Sequence, residues 1–224
     1  MDNMTVFTAA GIDYLFRWGH LLAGMTWVGL LYYFNFVQAE YFKEAEPAHR
    51  AGVVLKLLPR ALWWFRWGAM VTFVTGVLLL AGRHSAITAD IAVGATLGTL
   101  MFLNVWLVIW PNQKIVIASA NQVAQGGEAL PEAAVAAPKA GLASRTNTLF
   151  SLPMLFFMGS SAHIPSGMAS APETMTPLMV VLALIFALEA NGLWGKQGPM
   201  ASVGGVISGG FLLTVVLYGL LVLL

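Results

Sequence analysis

The stretch RWGHLLAGMTWVGLLYYFNF, residues 17–36, decides the class of fold. It is long enough to cross a bilayer as one helix, which takes roughly 20 apolar residues. Yet it places an arginine and a histidine three residues apart, on one helix face. An ionisable side chain inside a bilayer costs about 3 kcal/mol or more. We therefore expect Arg17 and His20 to face the interior of a helix bundle, not lipid.

The whole chain has the composition of a membrane protein. Of its 224 residues, 58% are hydrophobic and only 9% are charged, whereas soluble domains carry about 25% charged residues. The net charge of +1 gives no basis for a polyanionic partner, so no nucleic-acid-binding function is expected. The chain has no cysteine. This excludes disulfides, iron–sulfur clusters and a Cys-x-x-Cys-His attachment site for c-type haem.

Six apolar stretches predict an all-α fold, a single transmembrane domain over residues 1–224 with the lipid bilayer as its partner. The third span should stop or kink at Pro111, and the fourth is short and interrupted by Pro153. Residues 112–145 are rich in Ala, Gly and Pro and are predicted to form a cytoplasmic loop with room for one short helix. The spans are expected at about 12–36, 63–82, 91–110, 146–163, 177–193 and 201–223.

The distribution of lysine and arginine predicts the orientation, because cytoplasmic loops carry the excess of these residues. One set of loops holds eight of them, and the other side holds only Arg83. Both termini should therefore be periplasmic, in a bacterial inner membrane. The eight are Lys43, Arg50, Lys56, Arg60, Lys114, Lys139, Arg145 and Lys196.

Histidines in the outer half are the candidate cofactor ligands. Imidazole binds haem iron and copper, and His20 lies within a span while His84 and His163 lie at span ends. The candidate metal ligands are His20 and His163, with His84 as an alternative second ligand and Arg17 as a charge partner for a haem propionate. Gly24, one turn below His20, leaves room for a flat cofactor or for a close helix. His84 and His163 are expected to be shallower than His20, and a simple hydrogen bond to a neighbouring helix explains His20 equally well.

Polar residues in the inner half are predicted to be structural. Glu189 and Arg66 both lie near inner helix ends and are expected to form an ion pair, with a proton or quinone site as the alternative. Asn104 is expected to make an interhelical hydrogen bond. Arg145 and Asn147 are assigned structural polar roles as well.

Small-residue motifs occur in two of the predicted spans. Gly94-x-x-x-Gly98 and Gly205-x-x-x-Gly209 permit close approach of helices. Packing inside the bundle is the preferred interpretation, and contact with a partner subunit is the alternative.

Three segments together resemble a known family. They are LFRWGHLLAGMTWVGLLYYFNF (15–36), LWWFRWGAMVTFVTGVLLLAG (62–82) and SRTNTLFSLPMLFFMGSSAH (144–163). Their order and placement are similar to the membrane domain of the bacterial urate hydroxylase family, the cytochrome-type urate oxidases. The matching positions are Arg17, His20, Gly24, Trp27 and Gly29, then Trp64, Arg66 and Trp67, and finally Arg145, Asn147, Pro153 and His163.

The resemblance implies an inner-membrane protein that passes electrons from urate to a c-type cytochrome, which is usually fused after the membrane domain. Two departures are expected to matter. A fused cytochrome is expected to be absent, and the segment between the first two spans is shorter than in the family. Electrons would then leave to a separate periplasmic c-type cytochrome.

Two functions remain open at this point. The first is an inner-membrane redox module, with b-type haem as its candidate cofactor. The second is a non-catalytic accessory subunit of a larger, respiratory-type membrane complex, which would make other membrane subunits its partners. A small transporter is disfavoured, because the sequence shows no inverted repeat.

Overall fold

The computed structural model describes residues 5–83 and 87–224, and this part of the chain is 88% helical without a strand. Short 3-10 turns at Thr5–Phe7 and Gly198–Ala201 precede the first and last helices. The α-helices are α1 (Ala9–Tyr32), α2 (Ala39–Glu44), α3 (Pro47–Gly52), α4 (Leu58–Arg83), α5 (Ala89–Leu103), α6 (Trp110–Ala124), α7 (Ala133–His163), α8 (Pro172–Trp194) and α9 (Val203–Leu223).

Short π-helical segments join several of these helices end to end. Tyr33–Gln38 links α1 to α2, Val53–Leu57 links α3 to α4, and Asn104–Ile109 links α5 to α6. The helix therefore continues through Pro111, where a stop or kink was predicted. A π-helical segment has already shifted the hydrogen-bond ladder, and Pro111 then falls in the first turn of α6, where a missing N–H is tolerated.

The predicted loop over residues 112–145 is largely helical. Helix α6 extends to Ala124 and α7 begins at Ala133, so the actual connection is short. The alanine-rich sequence explains this outcome, because alanine has the highest helix propensity. Helix α7 also continues through Pro138 and Pro153. Neighbouring helices can satisfy the backbone groups that a proline frees inside a bundle.

Four helical stretches are long and apolar enough to cross a membrane: Pro47–Arg83, Ala89–Ala124, Pro172–Trp194 and Val203–Leu223. They coincide with the second, third, fifth and sixth predicted spans, so the chain is a membrane protein. Helices α1 and α7, at the first and fourth predicted spans, are not among these four stretches. Helix α7 contains a fully polar run at 145–148, and that run is buried by protein.

Helix α7 lies at the centre of the bundle. It packs against α5, α6, α8 and α9, and Phe150 and Phe157 are fully buried. A Cβ atom at Gly94 of α5 would lie 3.2 Å from the backbone nitrogen of Met158. One at Gly210 of α9 would lie 3.2 Å from the carbonyl oxygen of Leu149. Small residues thus bring α5 and α9 against α7. Gly94 supports packing inside the bundle as the role of the first motif. In the second motif a Cβ atom at Gly209 would lie 3.2 Å from Cδ1 of Leu149, and Gly205 lies against Pro199 at the start of α9.

Helices α1 and α4 form a closely packed pair beside this centre. A Cβ atom at Gly68 would lie 3.2 Å from the backbone nitrogen of Trp27 and 3.3 Å from the carbonyl oxygen of Ala23. A Cβ atom at Gly24 would lie 3.9 Å from Cγ2 of Thr72. Close contact between the two backbones fixes which side chains of α1 face α4.

Candidate functional site: the polar interior of the bundle

His20 faces helix α4. Its side chain is half-buried, and its Nδ1 lies 3.0 Å from the hydroxyl oxygen of Thr75. That hydroxyl donates to the carbonyl oxygen of Val71 at 2.7 Å. The bond between His20 and Thr75 fixes the orientation of the ring, and which group donates in it depends on the tautomer of His20.

The space beside His20 is occupied by helix α4. A Cβ atom at Gly76 would lie 3.1 Å from Cε1 of His20, and Gly24 is in van der Waals range of Thr72. Of the two uses expected for Gly24, the structure supports the close helix. A flat cofactor has no slot on this face.

Arg17 does not face the bundle interior, so that expectation was wrong. Its side chain is 49% exposed and forms an ion pair with Asp13, one turn earlier on the same helix. The pair is possible because residues four apart lie on one helix face. Arg17 lies close enough to the helix start for its long side chain to extend toward the interface.

The histidines do not form a two-ligand haem site within the described residues. His163 is the last residue of α7 and its side chain is exposed, whereas His20 is engaged with α4. No group of three or more metal-ligating side chains occurs in residues 5–83 and 87–224. The alternative ligand, His84, lies outside the described residues. The side chains of this part of the chain therefore do not fit an enclosed b-type haem with His20 and His163 as its ligands.

A buried carboxylate at the start of α5 was missed in the sequence. Asp90 is fully buried in the first turn of α5. Its Oδ1 accepts a hydrogen bond from the hydroxyl of Ser160 at 2.7 Å, and its Oδ2 accepts from the amide and hydroxyl of Ser166 at 2.7 and 2.6 Å. These bonds tie α5, the end of α7 and the following loop together. The available signal was an acidic residue two positions after Thr88, which caps α5.

The bundle also contains a buried amide–carboxylate cluster, formed by Asn104, Asn147 and Glu189. The Asn104 Nδ2 group donates to Oδ1 of Asn147 at 2.9 Å and to Oε2 of Glu189 at 3.1 Å. The Nδ2 group of Asn147 donates to the carbonyl oxygen of Met101 at 2.9 Å. The cluster joins three helical segments, and the interhelical hydrogen bond expected of Asn104 is present.

The predicted ion pair between Glu189 and Arg66 is not formed, so that prediction was wrong. The Arg66 guanidinium instead lies over the ring of Trp110, 3.8 Å from its centroid. Such stacking satisfies a partly exposed cation without a carboxylate. Asn104 supplies the polar partner of Glu189. Both residues keep structural polar contacts, but with different partners.

A second polar interface, which we call the α1–α7 seam, joins the end of α1 and the following π-helical segment to α7. The hydroxyls of Tyr32 and Ser151 are 2.9 Å apart, and the Asn35 amide donates to the Ser144 hydroxyl at 2.8 Å. The guanidinium of Arg145 lies next along α7. Residues Asn35 and Gln38 are polar positions three apart in an apolar stretch, and this signal was present but unused in the sequence.

These features define a class of protein: a polytopic membrane protein whose central helix carries a buried polar interior. Comparison with protein families then identifies the group. The chain matches the family described as urate oxidase N-terminal over residues 82–194, just over half of its length, and it belongs to that family. It is a urate hydroxylase-like membrane module. The searches of characterised proteins and of solved structures gave no significant match.

The matched segment covers the centre of the bundle. It runs from the end of α4 to the end of α8 and includes the third of the resembling segments, 144–163. It also contains Asp90, Arg145 and the whole amide–carboxylate cluster. The first resembling segment, 15–36, lies wholly before it, and the second, 62–82, overlaps it only at Gly82. The family assignment therefore rests on the polar central helices and not on the His20 motif.

Proposed function

We propose that the chain is the inner-membrane part of a urate-oxidising system, and that its substrate is handled at the polar interior around α7. The observation that carries the proposal is the family match over the segment that holds the buried polar residues. Burying polar groups inside a membrane bundle costs free energy, so polar residues at these positions indicate a structural or functional role.

The chemistry requires an electron acceptor. Hydroxylation of urate by water removes two electrons from the purine and releases two protons. A c-type cytochrome takes one electron, so two must be reduced for each urate consumed. The chain has no cysteine for haem attachment. These 224 residues therefore do not hold the c-type haem themselves, and the proposal takes a periplasmic c-type cytochrome as the electron acceptor. No step is assigned to a haem held by His20 and His163.

The proposal includes six spans with both termini in the periplasm. Six long helical stretches support it, because α1 and α7 have enough residues to cross a bilayer in addition to the four apolar stretches. The lysine and arginine bias of eight to one supports the orientation. This places the amide–carboxylate cluster and the α1–α7 seam on the cytoplasmic half.

Urate consumption tests the proposal. Membranes from bacteria that produce the protein, supplied with an oxidised c-type cytochrome, should lose urate faster than membranes that lack the protein. Xanthine, which lacks the 8-oxo group, serves as the control purine and should persist. Equal loss of urate in both membranes would contradict the proposal. A protein that consumes no urate and co-purifies with stoichiometric membrane subunits would favour the accessory-subunit role.

A further inference from the structure

Two cations from different helices contact one aromatic ring. Trp110 is the first residue of α6, and the guanidinium carbon of Arg66 on α4 lies over its ring, 3.8 Å from the centroid. The Nζ atom of Lys114, one turn later on α6, lies 5.7 Å from the same centroid. The ring therefore brings together positive charges that are far apart in the sequence.

Neither cation has an acidic partner among residues 5–83 and 87–224. In this part of the chain Arg66 and Lys114 form no ion pair and no hydrogen bond, and the ion pairs lie elsewhere. Contact with an aromatic face attracts a cation but does not use its N–H donors. The donors of both side chains therefore remain available to an anionic ligand.

Tryptophans on α4 indicate that this pair of cations lies at the depth of lipid headgroups. Trp63, Trp64 and Trp67 flank Arg66 along the helix, and they are 46%, 60% and 42% exposed. Tryptophan is enriched at the membrane–water interface, because its ring is apolar while its N–H group is polar. The phosphate groups of lipids lie in the same layer.

A groove of about 540 Å³ opens beside Lys114. Its lining is mostly apolar and includes one carboxylate: Pro111, Ile115, Ala118, Leu130 and Glu132. Lys114 is exposed, and it is not paired with Glu132 within the described residues, so its ammonium group is free to turn toward a ligand. The groove leaves room next to the two cations for a bound group that is larger than a simple ion.

We infer that Arg66, Lys114 and Trp110 form a binding site for the headgroup of an anionic phospholipid. The phosphodiester oxygens accept hydrogen bonds from the guanidinium of Arg66 and from the ammonium of Lys114. The rest of the headgroup lies in the groove beside Lys114, and the acyl chains run along the side of α4 that carries the exposed tryptophans. Basic pockets between transmembrane helices bind anionic lipid headgroups in this way.

The bound lipid connects α4 to α6, because its phosphate contacts one residue of each helix. This role goes beyond the proposed function and does not depend on it. A protein that oxidises no urate should bind the lipid equally well, so the two proposals succeed or fail separately.

Native mass spectrometry of the full chain, released from micelles that contain a single phospholipid, tests the site. The probes are phosphatidylglycerol and phosphatidylcholine with the same acyl chains. We expect the first phosphatidylglycerol to bind at least about fivefold more tightly than the first phosphatidylcholine. Arg66→Gln and Lys114→Gln should each weaken phosphatidylglycerol binding by about fivefold, the effect typical of one basic residue near a membrane surface. Equal affinity of the two lipids for the wild type would overturn the inference.

Two matched variants separate this site from a diffuse positive surface. Arg50→Gln removes the same charge from an exposed residue of the same helical stretch, about 24 Å from Arg66 along the helix axis. It should bind phosphatidylglycerol like the wild type, and a loss equal to that of Lys114→Gln would overturn the inference. Trp110→Leu keeps both charges but removes the ring that holds them together. It should weaken binding, and wild-type affinity in this variant would show that the ring does not assemble a site.

Circular dichroism of the same samples shows whether each variant is folded. Lys114 is exposed, so Lys114→Gln should keep the melting temperature of the wild type in micelles without phosphatidylglycerol. Added phosphatidylglycerol should raise the melting temperature of the wild type more than that of Lys114→Gln. An equal rise in both proteins would contradict a role for Lys114 in lipid binding, even if the variants at Arg66 and Trp110 fail to fold.

Discussion

Replacement of Asn147 by alanine tests the amide–carboxylate cluster in depth. Asn147 is fully buried, accepts from Asn104 at 2.9 Å and donates to the carbonyl oxygen of Met101 at 2.9 Å. Each interhelical hydrogen bond in a membrane protein contributes about 0.6 kcal/mol on average and about 1.7 kcal/mol at most. The cavity left by the amide adds about 1 kcal/mol. We expect Asn147→Ala to lower the free energy of unfolding by about 2–4 kcal/mol.

The assay is reversible unfolding in mixed micelles by titration with sodium dodecyl sulfate, followed by far-ultraviolet circular dichroism. The control is Asn121→Ala, because Asn121 is exposed and bonds only to the carbonyl oxygen of Ile117 on its own helix. This control should change the unfolding free energy by less than about 0.5 kcal/mol. A double-mutant cycle between Asn104 and Asn147 should show coupling. If Asn147→Ala is as stable as the control, the cluster does not hold the bundle together.

Two further substitutions test the packing around α7. Gly94→Ala should lower the unfolding free energy by about 1–2 kcal/mol, because the new methyl group meets the backbone of Met158. Gly98→Ala is the control and should be neutral or stabilising, because a Cβ atom there has its nearest contact 3.9 Å away. The same unfolding titration compares the two variants, and equal effects would refute the close approach of α5 to α7. Asp90→Ala should lower the melting temperature strongly, because it leaves the amide and hydroxyl of Ser166 without their acceptor and the Ser160 hydroxyl with only a 3.4 Å contact to the carbonyl oxygen of Phe157. A melting temperature equal to that of the wild type would show that the Asp90 hydrogen bonds are dispensable.

The positions of the helices could be predicted from hydropathy, but several of their ends could not. Span six was expected at 201–223, and α9 is Val203–Leu223. Helix α7 was expected only from residue 146, because the residues before it are rich in Ala, Gly and Pro, yet it begins at Ala133. Hydropathy marks where a helix crosses lipid. It carries no information about a helix that continues beyond the bilayer or is surrounded by other helices.

The position of a polar residue along its helix could be predicted from the sequence, but its partner could not. Glu189 lies near the end of α8 and Arg66 near the start of α4, yet their side chains contact Asn104 and Trp110 respectively. A single sequence gives the height of a residue along its helix but not the rotation of that helix within the bundle. The same limit applies to Arg17, which pairs along its own helix instead of facing inward.

The electron count of urate oxidation tests the central claim most directly. Purified protein in nanodiscs is mixed with limiting urate and excess oxidised c-type cytochrome, and reduction of the cytochrome is followed by its visible absorbance. The account predicts urate-dependent reduction of two cytochromes for each urate consumed. No reduction above the rate seen with empty nanodiscs would contradict the claim that this chain is the membrane part of a urate-oxidising system.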